Sequence, residues 1–379
     1  MILMMLVVML TFSAFCVSIC QIQLIETQTQ IAADCSSVSA AIAIDNDDEQ
    51  RSPEEMAETI ASNNTIGFSN VNLSTDDVVR GTARVNTATG KIDFTPGGSP
   101  SNAVRVDVRV GNSQPNREPS DLWLPFFLTR KSFDIRRSSV SAKMEHDICL
   151  VIDRSQSMCD HKNQGGERPF HPNYLPPLEF WQERFFPHPV DSRWVATIDA
   201  VGFFTAALDK TLMEEELGLV TFACDRTYTY KNQTIDVLAA TIDVELSKEY
   251  DQFRDTLENM FIDLPMVNGQ TWIHSGIDSG TEALVAGRDE AFKTMVVLTD
   301  GGQFVQGDPG NTDYVTAAVN AADQGITIHT VTYGSNNGYT QMQEVARIGG
   351  GEAYFAPDEA TLQEIFASIG AAPPISIIQ

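Results

Sequence analysis

An open, mostly parallel α/β sheet with helices on both faces is the fold predicted for residues 143–372. Three observations lead to it. DICLVID (147–153), GLVTFA (218–223) and TMVVLTD (294–300) are short apolar runs bounded by charge or glycine. That is the pattern of strands buried on both faces. Stretches with helical apolar spacing separate them, as at Trp194, Val195, Ile198, Val201, Phe204, Leu208 and Leu212. Strands alternating with helices are the signature of a parallel sheet.

The elements follow in order. Residues 1–25 carry no charge, the first being Glu26. A run of about 20 apolar residues is long enough to cross a bilayer as a helix. No basic stretch precedes it and no small-x-small cleavage site follows. An uncleaved transmembrane anchor over 1–25 is therefore favoured over a cleaved signal peptide. Helical spacing continues through Ile22, Ile25, Thr29, Ala32, Ala33, Ser36 and Ala40, and the helix is predicted to end near Asp45. Acids follow the anchor and no base occurs before Arg51. By the positive-inside tendency, the bulk of the chain lies outside the cytoplasm. Residues 53–63 read as a short helix, with proline at its start and acids in its first turn. Residues 68–110 alternate in β fashion, with a hairpin around Thr89-Gly90 and a strand in NAVRVDVRV. A polar loop (111–121), an apolar patch (122–128) and the bases Arg130, Lys131, Arg136 and Arg137 complete a unit spanning 26–142, a long helix followed by a small β-rich region. Beyond 143, helices are predicted over 191–213, 247–262, 274–287, 311–324, 340–348 and 358–369. Further strands are predicted at 325–334 and 353–356.

Charge narrows the partner classes. The formal net charge is −26, with 51 acids against 25 bases. Residues 141–379 hold 35 of the acids and 14 of the bases, and so carry −21 of it. Such a surface repels phosphate, which argues against nucleic acid, and suits a divalent cation or a basic partner. Most of these acids read as a solvated face.

In an open parallel sheet, ligands bind beyond the carboxyl ends of the strands. Three predicted loops at that edge hold the informative residues: Asp153-Arg154-Ser155-Gln156-Ser157-Met158, Asn268-Gly269-Gln270-Thr271, and Thr299-Asp300-Gly301-Gly302. Two carboxylates and three hydroxyls converge there, all hard oxygen donors of the kind Mg²⁺ and Ca²⁺ take. The alternative is that Asp153 and Asp300 merely close turns, as aspartate often does. Glycines 301 and 302 are expected to leave room above the site.

Asp-x-Ser-x-Ser after a buried strand, a later Gly-x-Thr, and Thr-Asp-Gly after another strand together resemble the metal-ion-dependent adhesion site of von Willebrand factor type A domains. The resemblance covers about residues 145–370 and includes the order of the elements. It implies that Ser155, Ser157 and Thr271 ligate a divalent cation, Mg²⁺ first and Ca²⁺ or Mn²⁺ as alternatives. Asp153 and Asp300 would bind mainly through water, and an acidic residue of a protein partner would complete the shell. Two departures stand out. Gln156 occupies a position where the family usually has glycine. Residues 159–190 are longer than the usual link, rich in proline and aromatics, and contain His161, His171 and His188. That insert reads as a recognition loop or as a packed lid, and its histidines lack zinc-ligand spacing. Cys159 and Cys224 each follow a strand at the same edge, so a disulfide between them is possible in an oxidising compartment, with two thiols as the alternative.

The N-terminal part has its own resemblance. An apolar helix running into Gln-Thr-Gln-Ile-Ala-Ala-Asp-Cys-Ser-Ser is similar to TadE/TadG proteins of Flp/Tad pilus assembly, in which Ala32-Ala33-Asp34 matches the usual pattern and Cys35-Ser36-Ser37 replaces alanines. It implies a pilin-like N-terminal region and pilus or envelope partners. Two functions follow. One is a membrane-anchored protein that binds a partner through the metal site. The other is a structural pseudopilin-like subunit whose metal only stabilises the fold. An enzyme is disfavoured: Ser155 and Ser157 have no sequence-local histidine, His274 alone makes no triad, and neither a P-loop nor His-Glu-x-x-His is present.

Overall fold

The computed structural model describes residues 2–44, 52–67, 69–86, 91–98, 101–110, 120–121, 132–163, 169, 186–211, 215–230, 232–262, 264, 266, 270–289, 291–306, 310–371 and 375–378. The Thr89-Gly90 turn, the 122–128 patch with Arg130 and Lys131, most of the 159–190 insert, and Asn268-Gly269 lie outside these residues. The chain forms two compact units, Met1–Met144 with Pro374–Gln379, and Glu145–Pro373.

The first unit begins with α1 (Ile2–Ile42), a single 41-residue helix. Its most apolar window has a mean hydropathy of 2.6, and it is long and apolar enough to cross a membrane. The N-terminal turns are exposed, whereas Ile25, Thr29, Ala32, Ala33, Ser36, Ser37, Ala40 and Ala41 are buried. These recur at three- and four-residue spacing, so one face of the helix is covered. The covering residues include Val104, Val106 and Val108 of the sheet and Ala57 and Ala61 of α2 (Pro53–Asn63). Small side chains on that face let the backbones approach closely, and the Ser37 hydroxyl reaches Ser139 and Ser141 at 3.0 and 2.8 Å. Helix α2 starts where proline and acids predict it, with a reciprocal Ser52–Glu55 capping box. The sheet holds β1 (Val78–Asn86), β2 (Lys91–Pro96), β3 (Ala103–Val110) and β4 (Ile135–Lys143), all antiparallel. The C-terminal segment Ile375–Ile378 returns to this sheet and pairs with β4, a strand the sequence does not announce.

The second unit runs β5 (His146–Asp153), α3 (Arg193–Leu208), β6 (Glu216–Phe222), β7 (Ala240–Ser247), α4 (Asp251–Asn259), α5 (Ile273–Val285), β8 (Phe292–Thr299), α6 (Asp313–Asp323), β9 (Ile326–Tyr333), α7 (Tyr339–Ile348), β10 (Gly350–Ala356) and α8 (Glu359–Gly370). The sheet order is β7-β6-β5-β8-β9-β10. Only β7 is antiparallel to its neighbour. All eight residues of β5 are buried. Ile148, Leu150 and Ile152 pack in one core with Trp194, Phe204, Phe253 and Phe366 of α3, α4 and α8. Cys149 and Val151 pack in the other with Ile277, Tyr314 and Val345 of α5, α6 and α7. A strand buried on both faces has no polar side to show, which is why its sequence is an unbroken apolar run. Edge strand β7 reads ATIDVELS, partly exposed and alternating, so it gives no such run.

The amino-terminal edge of the sheet is held by polar pairs. Arg288 donates to Asp147 through both its backbone N–H and Nε, each at 2.8 Å. His146 Nε2 lies 2.8 Å from Thr294 Oγ1. Burial, with smaller contributions from His329 and Arg288, pushes the His146 pKa down from 6.5 to about 4. The folded unit therefore keeps a neutral imidazole where the unfolded chain binds a proton. Stability should be lost as pH falls from about 6.5 towards 4, by up to about 3 kcal/mol. Urea unfolding across this window should show the loss in the wild type and a flatter profile in His146→Gln, which keeps a polar partner for Thr294. Equal slopes would refute the assignment.

Candidate metal centre

Strand β5 ends at Asp153, and the backbone then turns. Ser155 precedes a 3-10 turn at Gln156–Cys159, which Gln156 opens. Asp153 Oδ1 accepts from the Ser155 N–H at 2.7 Å, and Asp153 Oδ2 accepts from the Thr299 hydroxyl at 2.7 Å. The register explains the second bond. Leu298 pairs with Ile152, so Thr299 and Asp300 leave β8 beside Asp153. Ser155 Oγ and Ser157 Oγ are 3.0 Å apart, and Ser157 Oγ donates to Asp300 Oδ1 at 2.7 Å. Asp300 Oδ2 accepts from Arg193 Nη1 at 2.6 Å. Both carboxylates are essentially inaccessible to solvent.

The sequence reading therefore places Asp153, Ser155, Ser157 and Asp300 in one hydrogen-bonded cluster. Thr271 stands in the third loop. It is 9% exposed, and its backbone makes a two-bond bridge with Phe304 at 2.9 and 3.2 Å. Gln303 ties this loop to the β8 loop: its Oε1 accepts from the Ile273 N–H at 2.7 Å, and its N–H donates to Gln341 at 2.8 Å. Gly302 serves packing, since a Cβ at Gly338 (φ +83°) would lie 2.4 Å from its Cα. Gly301 faces open space, as expected.

The donor set fits a divalent cation. Octahedral coordination at 2.0–2.1 Å puts neighbouring ligand oxygens about 3 Å apart. The Ser155 and Ser157 hydroxyls already have that separation. Each serine oxygen keeps lone pairs for an ion, and Ser157 directs its proton to Asp300. Burial raises the Asp153 pKa to about 7, and repulsion from Asp300 adds to it. Asp300 is also pushed up by burial, with Arg193 opposing. Two buried carboxylates that destabilise each other as anions are what a cation relieves. Among the described residues no group of three or more His, Cys, Asp or Glu side chains gathers as a metal site, so the donors here are two carboxylates and hydroxyls.

Arg193 is the residue of this cluster that the sequence reading missed, and Thr299, read there as part of the Thr-Asp-Gly motif, gains its role from the bond to Asp153. Arg193 sits in the first turn of α3, where the helix dipole disfavours a cation. That misplaced charge was the available signal. The insert's two ends meet beside it: Lys162 N–H donates to the Asp191 carbonyl and Arg193 N–H to the Asp160 carbonyl, both at 2.9 Å. A long loop closed at its base costs little more than a short one. His161 and His188 bond locally, through Asn163 and Asp191, and His274 bonds Gln303 and stacks on Trp272.

Of the two states open to Cys159 and Cys224, the structure has the two thiols and not the disulfide. Cys159 belongs to the core under α3, with Sγ 3.4 Å from Met266 Sδ. Cys224 packs separately with Ala223, Val237 and Trp272. Sharing a sheet edge does not bring two side chains to one place. Alkylation in denaturant followed by peptide mapping should recover both as alkylated thiols, and a peptide linking the two would restore the disulfide.

Known proteins resemble parts of this chain. A family model described as von Willebrand factor type A domain matches residues 192–368, and one for Tad-like Flp pilus assembly matches residues 39–140. A UPF0353 protein of Mycolicibacterium gilvum is 33% identical over 103 residues, covering 23% of this chain and 31% of that protein. The chain thus spans about a third of the curated relatives it matches. Among solved structures, an aerotolerance-related membrane protein of Bacteroides fragilis is 15% identical, with a TM-score of 0.38, covering 59% of this chain and 97% of that one. Proximal thread matrix protein 1 of the mussel byssus, solved with a zinc-occupied MIDAS motif, is 15% identical with a TM-score of 0.40, covering 63% and 50%.

Proposed function

From the premise that this chain carries a von Willebrand factor type A domain behind a Tad-like Flp pilus-assembly domain, we propose that it binds a protein partner through a divalent cation held at Asp153, Ser155, Ser157, Thr271 and Asp300. The two domain types fit a pilus-assembly or adhesion role, and α1 is a candidate membrane anchor. Our reading goes further. The protein is anchored by α1, its two units lie outside the cytoplasm, and an acidic side chain from a pilus or envelope component completes the cation's shell. Mg²⁺ is the first choice of ion, with Ca²⁺ or Mn²⁺ as alternatives.

The observation that carries the proposal is the chain of hydrogen bonds from Ser155 through Ser157 to Asp300, with Asp153 fixed by Thr299. All four carboxylate oxygens already accept a hydrogen bond, two of them from hydroxyls, one from a backbone amide and one from Arg193. The carboxylates are thus set to orient hydroxyls and ordered water, leaving the serine and threonine oxygens as direct ligands. Neutral direct ligands would leave a bound cation attractive to an anion. This arrangement supports binding over catalysis as the role of Ser155 and Ser157.

The reading makes two predictions of opposite sign for one substitution. Asp153→Asn removes a buried charge, so the full chain freed of cations should melt about 2–4 °C higher than wild type. The same variant should lose the increase in Tm that Mg²⁺ or Mn²⁺ gives the wild type, and with it any EDTA-sensitive partner binding. A variant that responds to cations like the wild type would sink the proposal. Loss of the cation response with partner binding intact would favour the purely structural role.

A further inference from the structure

The candidate site contains a cation of its own. Arg193 is 3% exposed, and its Nη1 lies 2.6 Å from Asp300 Oδ2. A second carboxylate, Asp160, stands 4.0 Å away. Its Nε has no hydrogen-bond partner among the described residues. The guanidinium lies against Gly334 (φ +76°), where a Cβ would come within 2.7 Å of Nε. The other buried arginine near the site, Arg154, turns away: it donates to Thr221 Oγ1 at 3.0 Å and to the Leu238 carbonyl at 2.7 Å. Arg193 is therefore the positive charge that touches the candidate ligand set.

A buried guanidinium at a helix N-terminus is costly unless something compensates it. Asp300 supplies that compensation, and Arg193 in turn fixes Asp300 with Oδ1 towards Ser157. Resting on the metal-site reading above, we propose that Arg193 is a built-in counter-cation: it holds the site in shape without an ion, weakens the site's grip on a divalent cation, and leaves a bound cation with surplus positive charge for an anionic group of the partner. Arg193 is a positioning residue in this scheme and supplies no ligand. The consequence separates it from a merely structural arginine. Losing a structural pin loosens the cluster and weakens cation binding. Losing a neighbouring positive charge strengthens it, because like charges a few ångströms apart in a buried site repel strongly.

The test is titration of the full-length protein with Mn²⁺ alone, followed by the electron paramagnetic resonance of free Mn²⁺, alongside thermal melts with and without the ion. Arg193→Gln should bind Mn²⁺ about tenfold more tightly than wild type or better. It should also melt lower in the absence of Mn²⁺ and gain more from it. Arg193→Lys keeps the charge and should stay near the wild-type affinity. Equal or weaker binding by a folded Arg193→Gln overturns the proposal, as does an unfolded Arg193→Gln that Mn²⁺ fails to restore. An Arg193→Lys that matches Arg193→Gln overturns it too, by removing charge as the cause. If wild type binds no Mn²⁺ but Arg193→Gln does, Arg193 blocks the site and its opposition to the ion stands. If neither binds, the metal-site reading falls and the role of Arg193 falls with it.

Discussion

Two carboxylates buried beside each other at the carboxyl ends of adjacent parallel strands constrain everything around them in the second unit. Taking an ion out of water costs several kcal/mol even after relaxation, and a like charge nearby adds to the cost. The β5–β8 register ends at Leu298–Ile152, so Asp153 leaves the sheet beside Thr299, one residue before Asp300. The pair exists only because each oxygen is answered. Thr299 and the Ser155 amide answer Asp153, and Ser157 and Arg193 answer Asp300.

That requirement reaches into elements distant in sequence. Arg193 comes from α3, 107 residues before Asp300. Gly334 follows β9 and leaves the space the guanidinium occupies. Ser335 donates to the Asp300 carbonyl at 3.2 Å. Gln303 and Gln341 fasten the β8 loop to α5 and α7, and Thr271 is held by backbone bonds to Phe304. Loops from five strand or helix ends are thus joined by side-chain bonds at one edge. A rigid scaffold holding variable loops is the usual way an open α/β sheet builds a binding site.

The central strands were legible because burial on both faces leaves one reading of a sequence such as DICLVID. Two of the edge strands were not. In ATIDVELS, partly exposed residues alternate with polar ones, and Ile375–Ile378 is four residues long after two prolines. Asp153, Ser155 and Ser157 were legible because they are alternate residues of one loop, and Asp300 because its strand is unmistakable. Arg193 was not, since its partner is known only from the fold and an arginine in a helix's first turn reads as solvated. The thiol state of Cys159 and Cys224 has a related reason. Position along the chain places a cysteine at an edge, and packing decides which core its side chain enters.

The net charge of −26 takes on a different meaning beside this geometry. At physiological ionic strength an exposed charge is screened within about 8 Å, so most of the acidic surface has little bearing on a group that reaches the site. What that group meets is the local balance. Asp153 and Asp300 form a buried acidic pair, Asp160 stands within 4.0 Å of Arg193, and Arg193 is the positive charge that opposes them. On the proposed reading a divalent cation adds two positive charges to this balance, and Arg193 leaves more of that charge for a partner's carboxylate than the acids alone would. An acidic protein could in this way accept an acidic partner at one point of its surface and repel it elsewhere, with the ion deciding between the two.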